Sequence, residues 1–210
     1  MDFDSFLTHI SSLKEMPLGG MDSQFKMAPA IRKNFVLKDL IMANPKDSAV
    51  LALFYPDNTN QTNFLLTQRA RYNGTHSAQI SFPGGKMEKS DTNLETTALR
   101  ETFEETGVSQ NDIKIYREIT KTYIPPSNFW VTPFIGFLEY TPKLVASHEV
   151  NEFIEVKLRD LLNDTSITSK NLTTSYMKNI DVPCFKLNDY IVWGATAMIL
   201  SEIKDLIKSI

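Results

Sequence analysis

The stretch FPGGKMEKSDTNLETTALRETFEETGV, residues 82–108, dictates a local geometry that any fold of this chain must accommodate. Residues 92–106 read as a helix: Leu94, Ala98, Leu99 and Phe103 recur as an apolar stripe, and Thr92 with Glu95 three residues later has the form of a capping box. Gly107 suits the left-handed residue that ends a helix. Positions i, i+3 and i+4 share one helix face, so Glu101, Glu104 and Glu105 are expected to converge. Like charges at that spacing repel, so either a carboxyl group is pushed toward its neutral form or a cation compensates. Arg100 and nearby lysines would make the cluster a solvated acidic face. A divalent cation would make it a metal site, and oxygen donors suit Mg²⁺ or Mn²⁺ better than zinc. Pro83-Gly84-Gly85 favours the second reading, because glycine lets backbone approach a ligand closely.

Around this helix the pattern is mixed. Residues 2–14 carry Phe3, Phe6, Leu7, Ile10 and Leu13 at helical spacing, which predicts an amphipathic helix packed on the domain. Residues 15–47 read as irregular, broken by Pro17, Gly19, Gly20, Pro29 and Pro45. Strands are expected at 48–55 and 63–69, joined through a turn at 56–62, and again at 113–123, 131–138 and 152–158. A rigid Pro125-Pro126 loop separates the third and fourth of these. A short helix is expected near 159–163, a polar turn-like stretch at 164–180, short strands within 182–193 and a closing helix at 195–209. No repeat or linker interrupts the pattern, which predicts one α+β domain over 1–210 with a helical N-terminal extension at about 1–20.

Composition excludes several function classes. With 22 Lys and Arg against 25 Asp and Glu, the net charge is −3, and no global basic field exists to hold nucleic acid. No run reaches the ~18 apolar residues of a membrane span. The N-terminus, with Asp2 and Asp4, lacks the basic flank of a secretory signal. Cys184 is the single cysteine, so no intramolecular disulfide forms, and the expected compartment is the reducing cytoplasm. Cys184 and Trp193 are expected in the core, His9 and His148 at the surface, and no nucleophile triad stands out.

The segment at about 85–108 resembles the Nudix box, G-x5-E-x7-R-E-U-x-E-E-x-G-U with U apolar. Gly85, Arg100, Glu101, Glu104, Glu105, Gly107 and Val108 hold its fixed positions. Two departures occur: the spacing from Gly85 to Arg100 is one residue longer, with Asp91 where the first Glu stands, and Thr102 occupies an apolar position. Upstream, LLTQRARYNGTHSAQISFPGG at 65–85 is similar to the signature of the coenzyme A pyrophosphatase branch, which shares the longer spacing and the Asp. Ala70, Asn73, Gly74 and Ala78 depart from it, and Gly74 replaces a cation that Arg71 or Lys86 would have to supply. Further likenesses at 124–136, 148–158 and 191–200 extend the match over about 24–200.

The resemblance implies an α/β/α sandwich around a mixed central sheet and a metal-dependent hydrolysis of the diphosphate bond of CoA, or of its acyl or oxidised derivatives. The products would be 3′,5′-ADP and 4′-phosphopantetheine or its acyl form. It implies that Glu101 and Glu105 bind Mg²⁺ or Mn²⁺, that Glu104 is a ligand or orients water, that the Gly85 carbonyl completes the shell, and that Arg100 orients a carboxylate. Glu149 or Glu152 would add a metal ligand or the general base. Arg69, His76, Gln79, Gly84, Lys86, Ser127 and Phe129 are the candidates for substrate contact. The partner is thus a small molecule, with no nucleic acid and no membrane; a homodimer is one expectation for the assembly. Two alternatives stay open: a Nudix pyrophosphatase for NADH or ADP-ribose, and a non-catalytic nucleotide-sensing module.

Overall fold

The apolar run expected as the first strand is the spine of the molecule. In the computed structural model, which describes residues 1–30, 32, 44–70, 79–173 and 178–210, it is buried along almost its whole length. In chain order the described residues form α1 (Phe3–Leu13), α2 (Gly20–Phe25), β1 (Lys46–Pro56), β2 (Thr62–Arg69), β3 (Ile80–Ser81), β4 (Gly84–Lys86), α3 (Leu94–Thr106), β5 (Lys114–Glu118), β6 (Thr122–Ile124), β7 (Phe129–Phe137), β8 (Val150–Lys157), α4 (Leu158–Leu162), β9 (Ile167–Leu172), β10 (Ile180–Leu187), β11 (Tyr190–Val192) and α5 (Gly194–Lys208). The main sheet runs β3-β2-β1-β7-β5, with β4 beside β1, β6 beside β7 and β8 beside β2. β1 and β7 are parallel and the other pairs antiparallel, so the sheet is mixed. β9, β10 and β11 form a second, smaller sheet.

Helices cover both faces of the main sheet, which is why β1 is continuously apolar instead of alternating. Ala49, Leu51, Leu53 and Tyr55 point to one face and share a core with Ala98 of α3. Ala52 and Phe54 point to the other and share a larger core with α1, α5 and residues of the small sheet. This is an α/β/α arrangement in one α+β domain. Among the described residues no helix is long and apolar enough to cross a membrane.

Several elements differ from the sequence reading. Within 15–47, where irregular chain is expected, α2 forms; its buried Gln24 donates from Nε2 to Glu202 Oε2 (2.9 Å) and to the Thr120 carbonyl (2.7 Å), tying it to α5 and to the β5–β6 connection. The predicted strand at 113–123 is split into β5 and β6. Opposite the gap stands Pro133, whose carbonyl accepts from Ile119 N–H (3.0 Å) but which has no N–H to return, so the ladder breaks. The turn-like stretch at 164–180 contains β9, an exposed edge strand whose polar residues hide the strand pattern. The helix at 92–106 is capped by Asn93, whose Oδ1 accepts from Thr96 N–H at 2.8 Å, and not by Thr92. Phe103 is 48% exposed. The buried face of α3 is carried instead by Thr97, Ala98, Thr102, Glu105 and Thr106. Thr102 fills its apolar position because its hydroxyl is consumed by the Ala98 carbonyl, 2.7 Å away. Gly107 ends the helix in the left-handed region (φ 73°), as its position predicts.

Candidate active site

β1 positions the glycine loop. Val50 pairs with Gly84 and Ala49 with Gly85, and Leu51 N–H binds the Pro83 carbonyl at 2.9 Å. Gly84 has φ +151°, and a Cβ there would lie 2.3 Å from the Ala49 carbonyl oxygen. At Gly85 a Cβ would lie 2.4 Å from the carboxyl carbon of Glu101. The α3 carboxylate therefore rests on bare backbone, in a space that only glycine leaves open.

Arg100 organises the acidic side chains. Its Nε donates to Asp91 Oδ1 and its Nη2 to Asp91 Oδ2, both at 2.9 Å. Asp91 is buried and also accepts from Glu88 N–H (2.8 Å) and the Thr97 hydroxyl (3.0 Å). The Arg100 hydrogen bonds, above all, hold the Asp91 carboxyl well below the usual carboxylate range. Nη1 of Arg100 donates to Glu101 Oε1 (3.0 Å) and Glu104 Oε2 (3.1 Å), and Nη2 to the Lys86 carbonyl (3.1 Å).

The three box glutamates do not converge on one point as their spacing predicts. Arg100 gathers Glu101 and Glu104, while Glu105 turns inward and is 5% exposed. Among the described residues no three carboxylate, imidazole or thiol groups are drawn together as a ready-made metal cage. The expected electrostatic conflict is present nonetheless. Burial pushes Glu105 up to about 7, with Arg69 opposing and Glu101 and Glu149 adding to the rise. Burial also raises Glu101, against the pull of Arg100. Glu105 Oε2 is buried with no hydrogen-bond partner among the described residues. Such an orphaned acceptor is costly unless a cation or donor meets it. A buried anionic oxygen beside Glu101, with the Gly85 backbone under that carboxylate, is a donor set fit for a hard divalent cation.

Of the two outlying carboxylates, Glu149 faces this region and Glu152 does not. Backbone bonds from Val145 N–H to Thr106 O (2.8 Å) and Ser147 N–H to Glu105 O (3.3 Å) dock the preceding loop on the end of α3. Glu149 then meets Arg69 (Nη2 to Oε2, 3.4 Å) at the wall of a cavity of about 800 Å³. Glu152 lies on β8 and accepts from the Tyr190 hydroxyl at 2.6 Å, away from that wall.

The cavity collects most of the sequence candidates: Arg69, Gln79, Gly84, Lys86, Ser127 and Phe129 line it, together with Arg100, Glu101 and Glu104. His76, Arg71 and Gly74 lie outside the described residues. Several lining residues escape the sequence reading, among them Trp193, Arg32 and Glu88. Trp193, expected in the core, is half-buried on the cavity wall just before Gly194, whose φ of +68° turns the chain into α5. A Trp-Gly pair at a helix start was the available signal. Arg32 donates to the Tyr123 carbonyl and lines the same wall; nothing in the irregular stretch around it marks it out. Cys184 is buried, as expected.

The NUDIX domain family matches residues 45–174. The chain is 29% identical over 182 residues to Nudix hydrolase 3 of Caenorhabditis elegans, covering 79% of this chain and 74% of that protein. It is 29% identical over 156 residues to the peroxisomal coenzyme A diphosphatase ndx-8 of the same organism, covering 73% and 65%. It is 27% identical over 161 residues to the human mitochondrial coenzyme A diphosphatase NUDT8, covering 76% and 68%. It thus spans roughly two thirds to three quarters of these three proteins. Among solved structures, the Nudix hydrolase RenU from M. Smegmatis superposes with a TM-score of 0.52 at 16% identity, over 79% of this chain and 88% of that one. The MutT/nudix family protein from Enterococcus faecalis gives 0.51 at 16% identity, over 85% and 71%. These two likenesses show the fold. The family match takes in the glycine loop, α3 and the Glu149 segment alike, and on that ground the chain belongs to the Nudix hydrolase family.

Proposed function

We propose that this protein hydrolyses the diphosphate bond of coenzyme A or a CoA derivative, using Mg²⁺ or Mn²⁺. The observation that carries the reading is the buried, unpartnered Oε2 of Glu105, which lies behind the lining and interacts with Glu101, Arg69 and Glu149, three residues that do line a cavity wide enough for a nucleotide-sized substrate. The CoA assignment draws support from the 65–85 signature and from two relatives named as CoA diphosphatases.

In this reading Glu101 and Glu105 hold the cation, with the Gly85 carbonyl beside them and Glu104 at the exposed edge. When bound, a divalent ion acidifies water and neutralises diphosphate oxygens. Arg100, fixed by Asp91, orients Glu101 and Glu104. Glu149 takes the proton of the attacking water or joins the ligands. Arg69 and Lys86 face the diphosphate charge, Gln79 and Ser127 offer hydrogen bonds, Gly84 lets backbone approach, and Phe129 supplies an apolar wall. Water adds to one phosphorus and the bridging P–O bond breaks, releasing 3′,5′-ADP and 4′-phosphopantetheine or its acyl form. The single buried cysteine accords with work in a reducing compartment such as the cytoplasm.

The test is product analysis after incubation with CoA, NADH and ADP-ribose in parallel, with Mg²⁺, Mn²⁺ or EDTA. Metal-dependent 3′,5′-ADP from CoA, well above cleavage of the others, is the expected result. Preference for NADH or ADP-ribose would reject the CoA assignment and keep the hydrolase chemistry.

A further inference from the structure

The β2–β8 ladder shifts register between Gln68 and Arg69: Gln68 stands opposite Glu152, and Arg69 opposite Val150. Such a bulge re-aims the side chains around it. Beyond the shift the Glu149 carbonyl accepts from Ala70 N–H (2.8 Å), and the Arg69 guanidinium meets the Glu149 carboxylate, Nη2 to Oε2, at 3.4 Å. Both residues line the cavity. The charge of Arg69 reaches further. Burial raises the Glu105 carboxyl, and the foremost influence opposing that rise is Arg69. One guanidinium thus acts on two carboxylates: the buried one with an unpartnered oxygen and the outlying one at the wall.

Arg69 and Arg100 are held in opposite ways. Arg100 is clamped by Asp91 at two points, each 2.9 Å, and its side chain is 15% exposed. Arg69 meets Glu149 at 3.4 Å, and those side chains are 30% and 52% exposed. An ion pair so long and so wet contributes little to stability, so exchanging its partner costs little. Arg69 is also a positive charge beside the carboxylates that would hold a divalent cation. It repels such a cation and attracts a diphosphate. A diphosphate that neutralises Arg69 removes the repulsion, and linked binding is reciprocal, so metal and diphosphate each tighten the other.

Building on the reading of this site as a metal-dependent diphosphatase, we propose that Arg69 is a displaceable counter-ion that couples metal binding to substrate binding. Without substrate it pairs with Glu149 and weakens the hold of the carboxylates on a bare metal ion. With substrate it turns to the diphosphate, releases Glu149 and lets the metal bind tightly. The site therefore favours a metal–diphosphate complex over the metal ion alone.

The experiment measures the affinity of the full chain for Mn²⁺ alone, by electron paramagnetic resonance, in wild type, Arg69→Gln, Arg69→Lys and Glu105→Gln, each first checked by thermal melting. KM for CoA is then measured on wild type and the two Arg69 variants at saturating Mn²⁺. Arg69→Gln should bind bare Mn²⁺ at least about fivefold more tightly than wild type, while its KM rises at least about tenfold. Arg69→Lys keeps the charge and should stay closer to wild type in both. Damage to the fold would weaken both, so movement in opposite directions marks the role. Mn²⁺ affinity in Arg69→Gln equal to or below that of wild type would overturn this inference and leave the hydrolase reading standing. Tighter Mn²⁺ binding with an unchanged KM would overturn the coupling. Equal Mn²⁺ binding by wild type and Glu105→Gln would overturn the metal site on which the inference rests. Should NADH or ADP-ribose prove the better substrate, the CoA assignment falls, and the same KM comparison with that substrate still decides the role of Arg69.

Discussion

Asp91 and Arg100 form a two-point ion pair, 2.9 Å at each contact, nine residues apart in the sequence and on different elements. The Asp91 side chain is 2% exposed and that of Arg100 15%, so the pair is shielded from solvent. Asp91→Asn leaves Arg100 facing a neutral amide. It should cost about 3 kcal/mol in denaturant unfolding at pH 7, and it should lower turnover by loosening Glu101 and Glu104. The folded Asp91 carboxyl titrates below its ordinary value of 3.8, so its stabilisation is present above that pH and is lost as pH falls toward the lowered folded value. The stability gap between wild type and Asp91→Asn should therefore be constant from pH 7 to 5 and shrink below about 4. A gap independent of pH would mean that the pair is energetically silent.

Glu105→Gln should separate stability from activity. The carboxylate is buried, pushed up to about 7 by that burial, and one of its oxygens has no partner. Replacing it removes a desolvated charge, so the metal-free variant should melt at or above the wild-type temperature. Turnover should fall by roughly 10²-fold or more if the side chain binds the cation. Glu101→Gln and Glu104→Gln should also lose activity. Near-wild-type rates in Glu104→Gln and Glu105→Gln together would remove the box from the chemistry.

Neighbouring glycines should fail in different ways. In Gly84→Ala the new methyl meets the Ala49 backbone at a φ that L-residues rarely adopt, which should cost about 3 kcal/mol or more of stability. In Gly85→Ala its three nearest atoms belong to the Glu101 carboxylate, the far end of a side chain and not backbone. That variant should fold with a smaller penalty and lose most of its turnover. Melting curves alongside kcat would show the crossover.

Glu149 and Glu152 are three residues apart, yet only the first lines the cavity. Glu149→Gln should reduce kcat/KM by at least about tenfold. Glu152→Gln trades an exposed carboxylate for an amide beside Tyr190 and should stay within about twofold of wild type, with stability within about 0.5 kcal/mol. The reverse ranking would reassign the outlying carboxylate.

Periodic and positional signals in the sequence carried far. The apolar run at 48–55, the α5 stripe with Met198, Ile199, Ile203, Leu206 and Ile207, and the Gly107 stop all lie where their patterns place them. What failed to show is what depends on distant partners. Spacing brings Glu101, Glu104 and Glu105 to one side of a helix, but it does not tell that Arg100 holds the first two while the third is buried without it. Phe103 completes an apolar stripe on paper, whereas the surface that meets the sheet accommodates threonines whose hydroxyls satisfy themselves on their own helix. Trp193 reads as core because aromatic residues usually are. Only the turn at Gly194 puts it on the rim of an open space.

The cavity draws its lining from both sides of the sheet: Glu101 and Glu104 ride on the helix backed by one core, and Val131 and Ile199 belong to the other. On the proposed reading, substitutions behind Ile199 or Val131 should reshape what the cavity accepts while Glu101 and Glu104 keep their footing. On that reading, an engineer would have two places to work on one molecule, the helix that carries the carboxylates and the wall that faces it.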